Sequence, residues 1–292
     1  MRVGYLRKGL PIMSFSVNTN GGALIALQNL TTTEGALAKA QSQVSTGLAV
    51  ATAADNGAVW AIAQNQRGNS SALDSVKQSL QRVQSTVDVA TSAGSSVSDL
   101  LNQLRSTTLS ATDTSLDATS RSALNTQFQQ LVKQIQNVVT NASFNGTNLL
   151  NNSVTNLQAL ASSDGTQHLT VGAQNLSIST GAAPSGQITF TGGTTISTAT
   201  AATNALALIN TSITNVNNSL ASLGSASNSL TSQLSFVGNL QDTLDQGVGN
   251  LVDANLAKES AQLQALQTKQ SLGIQALSIA NSSTSSLLSL FR

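Results

Sequence analysis

The sequence predicts a mainly α protein: a long antiparallel helical-bundle rod with a small β-rich insert and helical N- and C-termini that become ordered on assembly. Three observations support this fold class. Apolar residues recur at alternating intervals of three and four, two prolines (Pro11 and Pro184) interrupt the 292 residues, and aromatic residues make up 3% of the chain. Prolines end helices and aromatics fill wide cores, so their scarcity suits a thin bundle.

Three heptad seams predict the helices of the rod. The first comprises Leu73, Val76, Leu80, Val83, Val87, Ala90, Gly94, Val97, Leu101 and Leu104; the second Leu124, Phe128, Leu131, Ile135 and Val138; the third Leu206, Ile209, Ile213, Val216, Leu220, Leu223, Ser227, Leu230, Leu234, Val237, Gln241, Leu244, Val248 and Leu251. Turn and cap residues at 113–119 separate the first two seams, so these helices most simply form an antiparallel hairpin. The third seam, roughly 70 Å long as a helix, packs against that hairpin.

The insert at 151–203 has a different pattern. Apolar and polar residues alternate at 168–171, 175–180, 187–191 and 194–197, and seven glycines and prolines punctuate these segments. This pattern predicts short antiparallel strands with tight turns. We expect a modest β-rich cap at one end of the rod.

The two ends of the chain, 14–50 and 252–292, are both amphipathic and helix-prone. Single helices are marginal in water, so these ends need partners. They could pair with each other, with neighbouring subunits, or with both, and we expect them to be disordered in the free chain and to order on assembly. The glycines at 247–249 predict a loosening or kink where the rod passes into the C-terminal helix.

Composition argues against several functions. The net charge of +1 gives no electrostatic case for nucleic acid or an anionic membrane, and no apolar run approaches the 18 residues of a membrane span. Without cysteine, and with His168 as the lone histidine, a zinc site within the chain is disfavoured. No catalytic constellation is recognisable, so we expect no enzymatic activity, no cofactor and no metal.

The start of the chain differs in composition from the rest. Residues 1–12 hold three of the 13 Lys and Arg residues, the single Tyr and one of the two Pro residues. Met13 offers a second start. We therefore expect residues 1–12 to be a non-native upstream extension.

Short segments at both ends resemble bacterial flagellins, and the resemblance covers nearly all of the chain from Met13. The matching segments are Val-Asn-Thr-Asn at 17–20, Val-Ser-Thr-Gly-Leu at 44–48, Ala-Ala-Asp-Asn at 53–56, Ala-Ile-Ala at 61–63, Phe-Asn-Gly at 144–146 followed by Leu149 and Leu150, Asp-Ala-Asn-Leu-Ala-Lys-Glu at 253–259, and the final seven residues, 286–292. Each match is weak alone, but their order, spacing and terminal positions together indicate a compact flagellin with a small outer domain.

The resemblance implies a structural subunit that polymerises through its paired terminal helices into the extracellular filament of the bacterial flagellum, for motility. It also implies export by the flagellar type III machinery with its chaperone, and contacts with hook-junction and cap proteins. The expected division is an inner-core helix and spoke at 13–55, rod helices at 56–150 and 204–250, an outer domain at 151–203 and a C-terminal inner-core helix at 251–292.

Apolar residues of the two ends are the expected polymerisation contacts: Leu24, Leu27, Leu30, Leu37, Val44, Leu48, Leu256, Leu263, Leu266, Ile274, Leu277, Leu287, Leu288, Leu290 and Phe291. The ends should be buried between molecules, because the rest of the chain offers them no surface.

Part of the first rod helix aligns with the segment that animal Toll-like receptors recognise in some flagellins. The residues that would face a receptor are Gln103, Arg105 and Thr107. In those flagellins the segment has an Arg and a Leu where this chain has Gln103 and Thr107, so we expect innate-immune recognition to be weak at most.

Two other functions stay open on the sequence. A flagellin-like surface protein could bind a glycan or host ligand through 151–203, although few aromatics are available there to stack on sugars. A hook–filament junction protein would share the same terminal pattern.

Overall fold

The computed structural model describes residues 19–179, 181 and 186–289, with side chains described as far as residue 282. In this part of the chain the elements are α1 (Gly21–Thr46), α2 (Gly57–Ala111), α3 (Ala118–Asn141), β1 (Asn156–Leu160), β2 (His168–Gly172), α4 (Ala199–Val252) and α5 (Leu256–Ser289). They form two compact units. The rod unit comprises residues 66–245, and the terminal unit comprises the described residues up to 65 and from 246. The prediction of a mainly α protein with a small β-rich insert is confirmed.

The long helices α2 and α4 of the rod unit run antiparallel. Several side-chain hydrogen bonds join them. Among these, Ser70 Oγ donates to Asp245 Oδ1 at 2.8 Å, Lys77 Nζ to Gln241 Oε1 at 3.2 Å, and Gln84 Nε2 to Ser227 Oγ at 2.7 Å. Residue numbers rise along α2 as they fall along α4. Gln241 and Ser227 are the two polar positions of the third seam. The residues that interrupt the apolar pattern therefore form hydrogen bonds between the helices.

The predicted seams form the core of the rod unit. Every member of the first seam is buried, and its apolar side chains are at most 5% exposed. Phe128, Leu131 and Ile135 of the second seam and alternate members of the third, from Ile209 to Val237, join the same cluster. Full burial of such a side chain stabilises a fold by about 1.5–3 kcal/mol, so the seams account for why three helices associate here.

The turn between α2 and α3 is built from side chains that bond to the backbone. Asp117 accepts hydrogen bonds from the N–H groups of Thr119 and Ser120 and so caps the start of α3. Arg121 is buried, and its guanidinium donates to the carbonyl oxygens of Ala111, Asp113 and Leu116. These bonds satisfy carbonyls at the end of α2 and turn the chain back along it.

One of the four predicted strands forms a regular strand in the described part of the insert. β2 contains residues 168–171 and pairs antiparallel with β1, which the sequence pattern did not predict. At 175–179 and 187–191 the structure has one isolated bridge, Ser179 to Thr191, and none of the described residues at 194–197 is in a strand. Those three strand predictions were wrong. Their alternation arises because Leu176, Ile178, Ile188, Phe190 and Ile196 point into the rod core.

The insert lies along the helices of the rod unit, and the prediction of a cap at one end was wrong. Its backbone N–H at Leu160 donates to Ser79 Oγ at 3.1 Å, and the N–H at Ile196 donates to Asn125 Oδ1 at 2.8 Å. Ser79 and Asn125 lie on α2 and α3, far apart along the bundle. The insert therefore extends along the bundle and contacts both α2 and α3.

Candidate assembly surface

The terminal unit brings the two ends of the chain together as an antiparallel pair, α1 and α5. Asn20 ties one end of this pair: its side chain accepts from Ala23 N at 3.0 Å, capping α1, and donates to the Ala280 carbonyl near the end of α5 at 2.7 Å. Of the arrangements that the sequence left open, the structure contains the pairing of the ends with each other.

The other end of the pair is closed by backbone hydrogen bonds. Gly47 ends α1 in the left-handed region (φ 74°), which favours glycine, and its carbonyl accepts from Ala254 N at 2.8 Å. Ala49 N donates to the Val252 carbonyl at 2.7 Å. Beside this junction Leu48 packs on a small cluster formed by Ala63, Val248 and Val252. A predicted polymerisation contact, Leu48, is thus partly used inside the chain.

The loosening or kink predicted at 247–249 does not interrupt the helix. Helix α4 continues through Gly247 and Gly249 to Val252, and the chain leaves the helix at 253–255. At Gly249 a Cβ would lie 2.8 Å from a carboxylate oxygen of Asp253, so this glycine makes room for that side chain. Glycine weakens a helix interior by about 1 kcal/mol, which packing on either side outweighs here.

The seam between α1 and α5 is narrow. Thr33 and Ala40 are its buried residues on α1, and the Thr33 hydroxyl donates to the Asn29 carbonyl of its own helix. Opposite them, Gly273 has no side chain, and a Cβ there would lie 3.3 Å from Leu30 Cδ1. The large predicted contacts are half-buried at best: Leu30, Leu37, Val44, Leu48, Leu263, Leu266 and Leu277.

Large apolar side chains remain exposed along the pair. Four of them, Leu24, Leu27, Leu256 and Ile274, were predicted from the sequence, and Ile25, Leu272 and Ile279 were not; their exposed fractions run from 49% to 70%. The three unpredicted residues lie outside the selected stripes of the end segments. A count of every large apolar residue in these helices would have found them. The predicted Leu287, Leu288, Leu290 and Phe291, and residues 1–12, lie outside the described side chains.

Exposed apolar side chains line a hollow on each of two opposite sides of the pair. On one side, an open groove of 410 Å³ is lined by Ile25, Asn29, Lys269, Leu272 and Ala276, among others; this is the Ile25 face. On the other side, Ala23, Leu24, Leu27 and Leu277 line a second hollow; this is the Leu24 face. Ile25 and Leu27 are two residues apart, about 200° around the helix, and Ala26 lies between them towards α5.

The predicted receptor-facing residues are not all accessible in the rod unit. Gln103 and Arg105 are exposed on α2, whereas Thr107 is 8% exposed and its hydroxyl donates to the Gln103 carbonyl at 3.0 Å. Thr107 follows the seam residue Leu104 by three positions, which places it towards the core. A partner at this surface would therefore contact Gln103 and Arg105 but not Thr107.

The described residues lack the side-chain groups of a metal site. They contain no group of three or more His, Asp or Glu side chains that could hold a metal ion, and His168 is exposed at the start of β2. None of the described helices is long and apolar enough to cross a bilayer. The two exposed apolar faces of the α1/α5 pair are the candidate assembly surface.

Comparison with known proteins gives consistent matches. The family model for the bacterial flagellin N-terminal helical region matches residues 17–155, and that for the C-terminal helical region matches 206–291. The chain is 50% identical over 277 residues to flagellin FljK of Caulobacter vibrioides, covering 95% of this chain and 98% of that protein. It is 36% identical to a flagellin of Brucella melitensis, with 95% and 99% covered. A crystal structure of Bacillus cereus flagellin aligns with a TM-score of 0.47 at 22% identity, covering 55% of this chain and 88% of that one. This chain belongs to the flagellin family.

Proposed function

We propose that this flagellin builds the extracellular flagellar filament by packing the Ile25 and Leu24 faces of its α1/α5 pair against further copies of itself. The observation that carries the proposal is the exposure of large apolar side chains on both sides of a two-helix unit. Contiguous exposed apolar surface marks interaction sites, because water contact with it is unfavourable.

Two opposite and unlike faces favour a polymer over a closed dimer. A dimer that buried one face against its own copy would leave the other face in water. When one face of each molecule binds the other face of the next, every addition leaves a free face at the growing end, which generates an open helical assembly. Seven exposed Leu and Ile side chains are available, and covering each half-exposed one contributes about 1 kcal/mol.

The remaining parts of the chain take the roles that the family resemblance implies. Segments 13–55 and 251–292 form the inner core, 56–150 and 204–250 the rod around it, and 151–203 the surface. The subunit reaches the growing filament through the flagellar type III export machinery with its chaperone, and the filament joins hook-junction and cap proteins. We assign the chain no enzymatic activity, since its family is one of structural subunits.

The described insert gives no support to a glycan-binding protein. Its large apolar residues Leu176, Ile188 and Phe190 are fully buried in the rod core and offer no stacking surface. The hook–filament junction alternative is also disfavoured, because relatives that are 50% identical to this chain are named flagellins.

The test is seeded polymerisation with serine variants of each face, measured as the critical concentration by sedimentation and electron microscopy. Ile25→Ser with Leu272→Ser removes the apolar groups of one face, and Leu24→Ser with Leu27→Ser those of the other. Each double variant loses about 2 kcal/mol or more of burial, so the critical concentration rises about 30-fold or more.

The matched control is Leu109→Ser with Phe236→Ser. Both residues lie in the rod unit and are 57% exposed, as open to water as the residues of the two faces. We expect this control to polymerise within a few-fold of the unaltered protein. Normal filaments from either face variant, or equal losses from the control, would contradict the proposed role of the helix pair.

A further inference from the structure

The two faces of the α1/α5 pair also differ in charge. The helices carry five charged residues: Glu34 and Lys39 on α1, and Lys258, Glu259 and Lys269 on α5. Glu34 and Lys39 are five residues apart, a spacing at which two side chains on one helix do not face each other.

All three lysines belong to the Ile25 face. Lys269 lines its groove directly. Lys39 follows Ile25 by fourteen residues, and Lys258 precedes Leu272 by fourteen. Residues two heptads apart differ by only about 40° around a helix, so Lys39 and Lys258 share the stripes of these two apolar residues. The three lysines are exposed.

The exposed acidic side chain of the pair lies on the opposite face. Glu34 follows Leu27 by seven residues, on the Leu24 face, and is exposed. It is also the residue after Thr33, which lines the groove with Lys269, so Glu34 and Lys269 lie at about the same level of the pair. The other acid, Glu259, is half-buried and shares the stripe of Leu266, Gly273 and Ala280, which is turned towards α1.

We propose that this charge difference sets the direction of assembly: the lysine-bearing Ile25 face of one copy binds the Glu34-bearing Leu24 face of the next. This inference rests on the proposed function and adds how the copies are oriented. A pairing of two Ile25 faces would bring lysines against lysines. Charges at interfaces act mainly by excluding such wrong pairings and by fixing orientation.

The experiment reverses the charge of each face. Glu34→Lys makes both faces positive, and Lys258→Glu with Lys269→Glu gives both faces a negative character. Lys39 is left in place because it interacts electrostatically with Asp55. Each variant alone should show a critical concentration at least about tenfold higher than the unaltered protein. An equimolar mixture should polymerise nearly normally, because each variant then supplies the face that the other lacks.

A matched mixture separates face pairing from net charge. Arg105→Glu with Lys133→Glu makes the same charge change at exposed positions of the rod unit, and it should not rescue Glu34→Lys. Salt gives a second readout: near 1 M, where charges are screened beyond about 3 Å, Glu34→Lys should polymerise alone. Circular dichroism of each monomer checks that these exposed substitutions leave the helices intact.

The outcomes separate the two proposals. Normal assembly of Glu34→Lys alone at low salt, failure of the complementary mixture, or rescue by the rod-unit control would overturn the charge-directed orientation and leave polymerisation by the helix pair standing. Failure of the unaltered protein to polymerise under seeding would overturn both.

Discussion

The rod unit and the terminal unit carry the same kind of heptad pattern but bury it to different extents. In the rod unit, Leu80, Leu101 and Phe128 are fully buried. In the terminal unit, α1 buries only Thr33 and Ala40, while Leu24 and Ile25 are 58% and 63% exposed. The difference is a third layer. The α2/α4 pair is covered by α3 and the insert, whereas the described chain supplies no such layer to the α1/α5 pair.

A heptad pattern identifies the face of a helix that must be buried, but it does not identify the molecule that buries it. A two-helix unit with Leu and Ile on its outer faces gains less from folding alone than a three-layer unit. The rod unit needs no partner to bury its apolar seams, because α3 and the insert of the same chain cover them. Under the proposed function, the terminal unit gains its missing layers from other copies.

The largest expected difference between the two units is in amide hydrogen exchange of the monomer. We expect the amides of α1 and α5 to exchange at least about 100-fold faster than those buried in α2 and α4, because fewer apolar contacts oppose their opening. In filaments the difference in amide exchange rate between the two units should become much smaller. Equal protection of residues 19–45 and of the rod helices in a verified monomer would contradict the expected order on assembly.

Phe128→Ala removes an aromatic ring from the core of the rod unit. This ring is fully buried, with its centroid 6.4 Å from that of Phe190, and its removal should lower the free energy of unfolding of the rod by about 3–5 kcal/mol. Urea denaturation followed by circular dichroism measures the change. Phe236→Ala, at a position 57% exposed in the same unit, is the control and should change the value by less than about 0.5 kcal/mol.

Gly35→Ala sharpens the comparison by strengthening the terminal unit. A Cβ at this position of α1 would have no neighbour within 4 Å, so the helix should gain about 0.5–1 kcal/mol. At Gly94 of α2 a Cβ would lie 2.8 Å from Leu220 Cδ2, so overpacking offsets the same gain in Gly94→Ala. Slower amide exchange of α1 in Gly35→Ala and an unchanged thermal midpoint in Gly94→Ala would bear this out; a stabilised Gly94→Ala would show that the rod core has spare room.

The smallest expected effect is a pH dependence at the start of α3. Hydrogen bonds from Ser120 and Thr119 lower the pKa of Asp117, so its ionised form stabilises the rod above about pH 4 and that contribution is lost as the pH falls through the lowered pKa. Asp117→Asn keeps a capping oxygen without the titration. Urea midpoints at pH 7 and pH 3 should therefore differ less in this variant than in the unaltered protein; an equal difference would exclude the titration.

Much of the rod was readable from the sequence. The seams from Leu73 to Leu104 and from Ile209 to Val237 are the observed core, and the break at 113–119 contains the observed turn. Such periodicity is local: a helix with an apolar stripe must bury it whatever its partner. The strands of the insert were predicted poorly. Leu176 and Ile188 alternate with polar residues because they pack on helices that are distant in sequence.

Local residue patterns were enough to identify the helical segments, the apolar seams of the rod and, through the matched ends, the family. How those faces are used depends on tertiary packing: Thr107 lies inside, α4 passes through its glycines, and Ile25 and Leu27 lie on opposite sides of one helix pair. The reason is physical. Helical periodicity depends on neighbours three or four residues away, whereas burial depends on whatever the rest of the chain brings to each face.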